Sequence, residues 1–214
     1  VRNRIARQGL EAARKSKPAA FFTEDAASLV TVGNFDDHLS WLAESDWIIE
    51  AVAEQMETKR ALWQKVAAIR KPGTVASTNS SGLSVAGIAS GLPEEFRQHW
   101  LGTHFFNPPR YLHLLELIPG PDTLPEIVEQ VSHFADQRLG KGVVIAKDTP
   151  NFIANRIGGC CTCLALGLVQ QAGLSVEEAD RLFHTALGWP RSALFGTLDL
   201  VGLDIFANAT RTVY

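Results

Sequence analysis

Trp47-Ile48-Ile49-Glu50-Ala51-Val52 reads as a strand buried on both faces, because it is a short, largely apolar run with β-branched residues and no helical period. The segments downstream of it decide the fold. A helical stretch from Met56 to Arg70 stops at Lys71-Pro72-Gly73, and Thr74 to Ser77 reads as a second strand ending in the polar loop Thr78-Asn79-Ser80-Ser81-Gly82. A short helix over Ser84 to Ala89 precedes further strands at Leu101 to Phe106, His113 to Ile118 and Gly142 to Ala146, with a helix from Leu124 to Leu139 between the last two. Upstream lie a β-type run, Leu29-Val30-Thr31-Val32, a helix-like His38 to Ala43, and an uncapped, basic amphipathic helix over Val1 to Lys17. Strands alternating with helices predict an α/β, doubly wound domain with a largely parallel sheet.

After Lys147-Asp148-Thr149-Pro150 the rhythm changes to helices alone. A long helical segment runs from Phe152 to Ala172, Ser175-Val176-Glu177-Glu178 has the spacing of a capping box, and Leu198 to Tyr214 is apolar and helix-like. We place a boundary near Asp148, giving an α/β domain over 1–148 and an all-α C-terminal domain over 149–214. The chain stops within a periodic segment and without a cap, so the second domain is expected to continue beyond Tyr214.

Composition narrows the function classes. The net charge of −3 arises from 20 basic and 23 acidic residues mixed along the chain, with no basic stripe that would track nucleic acid. No apolar run has the length of a membrane span, and the charged N-terminal segment is unlike a signal peptide, so a cytoplasmic protein is expected. Cys160, Cys161 and Cys163 crowd into one helix with no second ligand pair, and they read as small buried thiols rather than a disulfide or metal site.

In open α/β sheets ligands bind at the carboxyl ends of the strands, which directs attention to Glu50 to Lys59, Thr78 to Gly82, and Gly102 to Arg110. His104 lies at the end of a β-type run among aromatic residues, and by itself reads first as a core histidine and only then as a catalytic one. Glu116 interrupts the apolar strand Leu112 to Ile118, where a carboxylate needs a partner; on an adjacent strand it could hold the imidazole in one tautomer, as in a catalytic dyad. Asn79-Ser80-Ser81-Gly82 is either a plain turn or a set of donors at a strand end. Asn155 could bond a substrate oxygen or secure the domain junction, and Glu54 and Lys59 by themselves read first as solvated charges at a helix start.

Taken in order, Glu50-Ala51-Val52-Ala53-Glu54 with Lys59, Asn79-Ser80-Ser81-Gly82-Leu83, His104-Phe105-Phe106-Asn107-Pro108, Glu116, and Lys147-Asp148-Thr149-Pro150-Asn151-Phe152-Ile153-Ala154-Asn155-Arg156 resemble the 3-hydroxyacyl-CoA dehydrogenase family of bacterial β-oxidation proteins. The resemblance spans almost the whole chain, and Asp199-Leu200-Val201-Gly202-Leu203-Asp204 fits a late helix of the family. It implies a Rossmann-type domain, NAD as cofactor, an acyl-CoA substrate, and a homodimer formed through the helical C-terminal domain. By the same comparison His104 would be the general base supported by Glu116, with Ser81 and Asn155 bonding the reacting oxygen. Glu54, Lys59, Ser81 and Asn107 would contact the nicotinamide end of NAD, and Arg14, Lys15 and Lys17 the CoA phosphates.

The departures matter equally. The family opens with a strand, a Gly-x-Gly-x-x-Gly turn and a second strand ending in an acidic residue, and this sequence has none of them; Gly82, Gly87 and Gly91 follow no first strand at the required spacing. The Rossmann-type domain is therefore expected to be N-terminally truncated, with an exposed sheet edge and weak hold on NAD. A short-chain dehydrogenase would need a Tyr-x-x-x-Lys pair, but Tyr111 is followed four residues on by Leu115. Dehydrogenases of the 6-phosphogluconate or 3-hydroxyisobutyrate type would use a lysine base and do not account for His104 with Glu116. The alternative from another class is a catalytically silent chain that dimerises through its helical part, where Gly158, Gly159 and Ala165 suit close packing.

Overall fold

The computed structural model describes residues 2–211, so Val1 of the first predicted helix and residues 212–214 of the last lie outside the described residues. It divides into two compact units. Of the described residues, one unit takes those up to Ser80 and Val85–Asp148, and the other takes Ser81–Ser84 and those from Thr149 onward.

The first unit is a Rossmann-like sheet of five strands, β1 (Trp47–Glu50), β2 (Val75–Thr78), β3 (Trp100–Phe105), β4 (Leu114–Pro119) and β5 (Gly142–Ile145), in that spatial order. β1–β2, β2–β3 and β4–β5 pair in parallel through the helices α2 (Met56–Ala67), α3 (Val85–Ile88), α4 (Glu94–Gln98) and α5 (Pro125–Leu139). β3 and β4 pair antiparallel. Residues 106–113 link them without a helix, and a parallel neighbour would need a longer crossover. On one face Val75, Leu101, Leu115 and Leu117 pack against Ile127, Val131 and Ala135 of α5. Elsewhere in the unit Trp63, Phe96 and Trp100 stack edge to face or tilted with centroids 4.8–5.8 Å apart.

Several expectations are corrected. β1 is not buried on both faces: Ile49 is 45% exposed, and among the described residues the strand has β2 as its only sheet neighbour. Leu29-Val30-Thr31-Val32 forms no strand; a 3-10 turn, Glu24–Leu29, consumes its start, and no neighbouring strand offers the rest a ladder. The helix-like stretch His38 to Ala43 forms a 3-10 helix, Leu39–Glu44. The first helix is α1 (Arg4–Lys15), uncapped by any side chain and with no buried residue.

The second unit is helical throughout: α6 (Ala154–Ala172), α7 (Val176–Thr185), α8 (Phe195–Val201) and α9 (Leu203–Arg211). Ala165 and Val169 of α6 pack with Ala179 and Phe183 of α7 and with Ala193 and Leu194. The capping box at Ser175 is formed, with Ser175 Oγ accepting from the Glu178 N–H and the Glu178 carboxylate accepting from the Ser175 N–H. The last segment is two helices rather than one, because Gly202 adopts φ +93°, which no helix continues through and which other residues rarely adopt. The cysteines do not form a buried set: Cys160 and Cys161 are exposed and Cys163 half-buried, because they ride the solvent side of α6 with Ile157 and Leu164.

Asp180 of α7 caps α8 from outside it. Its Oδ1 accepts from the N–H groups of Leu194 (3.0 Å) and Phe195 (2.7 Å), and its Oδ2 from that of Gly196 (3.1 Å). Three charge-assisted bonds at a helix start carry more than a single cap. Asp180→Ala is expected to cost about 1–3 kcal/mol in urea unfolding, and Asp180→Asn less.

Candidate active site

β3 and β4 bring the two proposed dyad members face to face. In the antiparallel register His104 lies directly opposite Glu116, and His104 Nδ1 and Glu116 Oε2 are 2.7 Å apart. Both are buried, His104 to 3% and Glu116 to 1% exposure. With the Nδ1 proton donated to this carboxylate, Nε2 is the acceptor nitrogen of the ring. The Phe106 ring lies 4.4 Å from the imidazole, centroid to centroid, and limits water on that side.

A second polar cluster sits at the carboxyl ends of β1 and β2. Glu50, 3% exposed, accepts on Oε1 from the Val52 N–H (2.6 Å) and Lys59 Nζ (2.7 Å), and on Oε2 from Thr78 Oγ1 (2.8 Å). Lys59 Nζ also reaches Glu54 Oε2 at 3.2 Å and the Val52 carbonyl at 3.4 Å. Ser80 Oγ donates to Glu54 Oε1, and the Glu54 side chain remains 44% exposed. Lys59 is therefore not a solvated helix-start charge: its side chain is 1% exposed, and Glu50 holds it inward. Asn79 joins the cluster to the dyad strand, since its N–H donates to the Glu50 carbonyl and its Oδ1 accepts from the Phe105 N–H.

The other expected residues fall elsewhere. Asn107 is exposed in the β3–β4 loop. Ser81 and Asn155 belong to the second unit, where Asn155 Nδ2 donates to the Ser81 carbonyl at 3.5 Å. Arg14, Lys15 and Lys17 are exposed at the end of α1, Arg14 pairing with Glu11. Asp148 takes the N–H groups of Val85 (2.9 Å) and Ala86 (2.8 Å) on its two oxygens, fixing the chain where it re-enters the first unit.

Residues 2–149 match the 3-hydroxyacyl-CoA dehydrogenase NAD binding domain, and 152–214 match the C-terminal domain of the same enzymes. The chain belongs to the 3-hydroxyacyl-CoA dehydrogenase family. It is 46% identical over its whole length to a probable 3-hydroxyacyl-CoA dehydrogenase of Bacillus subtilis, covering 27% of that protein. A probable 3-hydroxyacyl-CoA dehydrogenase of Deinococcus radiodurans is 45% identical over 99% of the chain and 61% of its own length. The chain thus spans between about a quarter and three-fifths of these relatives. Among solved structures, FadB2 of M. tuberculosis superposes with a TM-score of 0.82 at 28% identity, over 99% of this chain and 72% of that one. No described helix is long and apolar enough to cross a membrane.

Within this 3-hydroxyacyl-CoA dehydrogenase fold, sequence reasoning passed over the structural roles of Glu50, Thr78 and Lys141. Glu50 carried a usable signal, a carboxylate inside an apolar strand with a lysine nine residues on. Lys141 carried none. Its ammonium donates to the carbonyls of Pro109 and Leu112 (2.7 Å) and so anchors the loop between His104 and Glu116. Burial pushes this ammonium below the ordinary lysine value of 10.5. In alkaline solution the native state then binds fewer protons there than the unfolded chain. Stability relative to Lys141→Met should therefore rise as pH climbs toward 10.5, the burial penalty being fully present only at lower pH. Urea midpoints of both proteins at about pH 7 and about pH 10 check the sign.

Proposed function

We propose that this chain carries out the NAD-dependent interconversion of L-3-hydroxyacyl-CoA and 3-oxoacyl-CoA in fatty-acid β-oxidation, with His104 as general base. The observation that carries the reading is the buried His104–Glu116 contact at 2.7 Å in a chain of this family. His104 Nε2 takes the proton of the substrate's C3 hydroxyl, and the Glu116 carboxylate, by accepting from Nδ1–H, fixes the tautomer and stabilises the imidazolium that results. Ser81 and Asn155 are assigned to hydrogen bonding of the substrate, and Arg14, Lys15 and Lys17 to its CoA phosphates.

The polar set at the ends of β1 and β2 fits the nicotinamide end of NAD: Glu54, a half-exposed acceptor carboxylate, lies beside the Ser80 hydroxyl where parallel strands finish. Glu54, Lys59, Ser81 and Asn107 would hold that end, Lys59 acting from beneath Glu54. When bound, NAD supplies the acceptor for the C3 hydride. The NAD-binding domain is proposed to span 1–148 and the helical domain 149–214, on the change of rhythm after Asp148. The second unit is proposed to dimerise with a second copy through α6, where Ile157, Leu164 and Leu168 expose an apolar stripe.

The test is NADH oxidation with acetoacetyl-CoA, for the wild type and for His104→Ala and Glu116→Gln. At NADH concentrations high enough to offset the weak hold expected without a glycine-rich turn, we expect turnover in the wild type, a loss of about 10²–10⁴ in kcat for His104→Ala, and at least about tenfold for Glu116→Gln. A folded but inactive wild type would favour the silent dimerising chain instead, and a fully active His104→Ala would remove the base assignment.

A further inference from the structure

Glu50, Glu54 and Lys59 form one connected cluster with a formal charge of −1. The charges are not equivalent. Glu50 takes three donors and pairs with a lysine whose side chain is only 1% exposed, so within these three residues the net charge lies toward Glu54, the half-exposed member. Ser80 holds that carboxylate from its other side.

We propose that this cluster discriminates between the two oxidation states of the dinucleotide, favouring the positively charged oxidised nicotinamide over the neutral reduced ring, with Glu50 as its buried positioning residue. The inference rests on the proposed placement of nicotinamide near Glu54. NAD and NADH share shape and nearly all contacts, so in the ratio of their affinities those contacts cancel and the charge on the ring remains. A unit charge at a partly shielded site is felt across several ångströms, where the effective dielectric is lower than that of water. Lys59 turned outward would cancel the field; its bonds to Glu50 and the Val52 carbonyl keep it beneath the surface.

Titration of the chain with NADH by its fluorescence, and with NAD by competition, gives the two dissociation constants and their ratio. Glu50→Gln and Glu54→Gln bring the cluster to zero and should move the ratio about three- to tenfold toward NADH. Lys59→Met brings it to −2 and should move the ratio the other way by a similar factor. A purely structural role would weaken both ligands together with no reversal of sign. Should Glu50→Gln or Lys59→Met fail to fold, Glu54→Gln decides, because its side chain is half-exposed. A ratio unchanged in Glu54→Gln overturns the proposal and leaves the enzymatic reading standing. Failure of the folded wild type to bind either form overturns both.

Discussion

Ionising a carboxylate in a protein interior needs partners, and Glu116, 1% exposed in the middle of an apolar strand, meets His104 because β3 and β4 run antiparallel in a single register. Shifting that register by one residue would turn His104 to the opposite face and break the pair. Much of the first unit can be seen as maintaining this pairing. Leu115 and Leu117, flanking Glu116, pack against α5, while Lys141 ties down the loop joining the two strands.

The cluster around Glu50 obeys the same constraint on the parallel side of the sheet, but its solution differs. There the carboxylate is saturated by a lysine, a threonine and a backbone N–H drawn from three separate elements, so it stitches the ends of β1 and β2 to the start of α2. Asn79 joins the two clusters, accepting from the backbone beside His104 while donating to the Glu50 carbonyl. Rigid strand ends and a single half-exposed carboxylate are what a polar ligand would meet there.

Features with a local physical cause were legible in the sequence. The capping box at Ser175, the stop at Pro72-Gly73 and the carboxylate breaking the Leu112–Ile118 run each announce themselves through one residue's chemistry. Features set by neighbours were not. Whether Ile49 is covered and whether Val30 and Thr31 find a ladder depend on which strands lie alongside, and the exposure of Cys160 and Cys161 depends on which face of α6 is covered. The antiparallel turn of β4 and the break at Gly202 were readable in principle, from a linker too short for a helix and from a glycine at positive φ, but the apolar pattern around both runs on without interruption. Lys59 shows the opposite error: its charge suggested solvent, and only the position of Glu50 beneath it explains its burial.

In the proposed mechanism Glu116 prepares His104 to accept a proton at Nε2. Nitrogen-15 NMR of the imidazole in the uncomplexed protein, above the pH at which the ring becomes neutral, reads this directly. A single tautomer with the proton on Nδ1 is expected, converting to a mixture in Glu116→Gln. A ring protonated at Nε2 in the wild type, or a tautomer indifferent to Glu116, would contradict it.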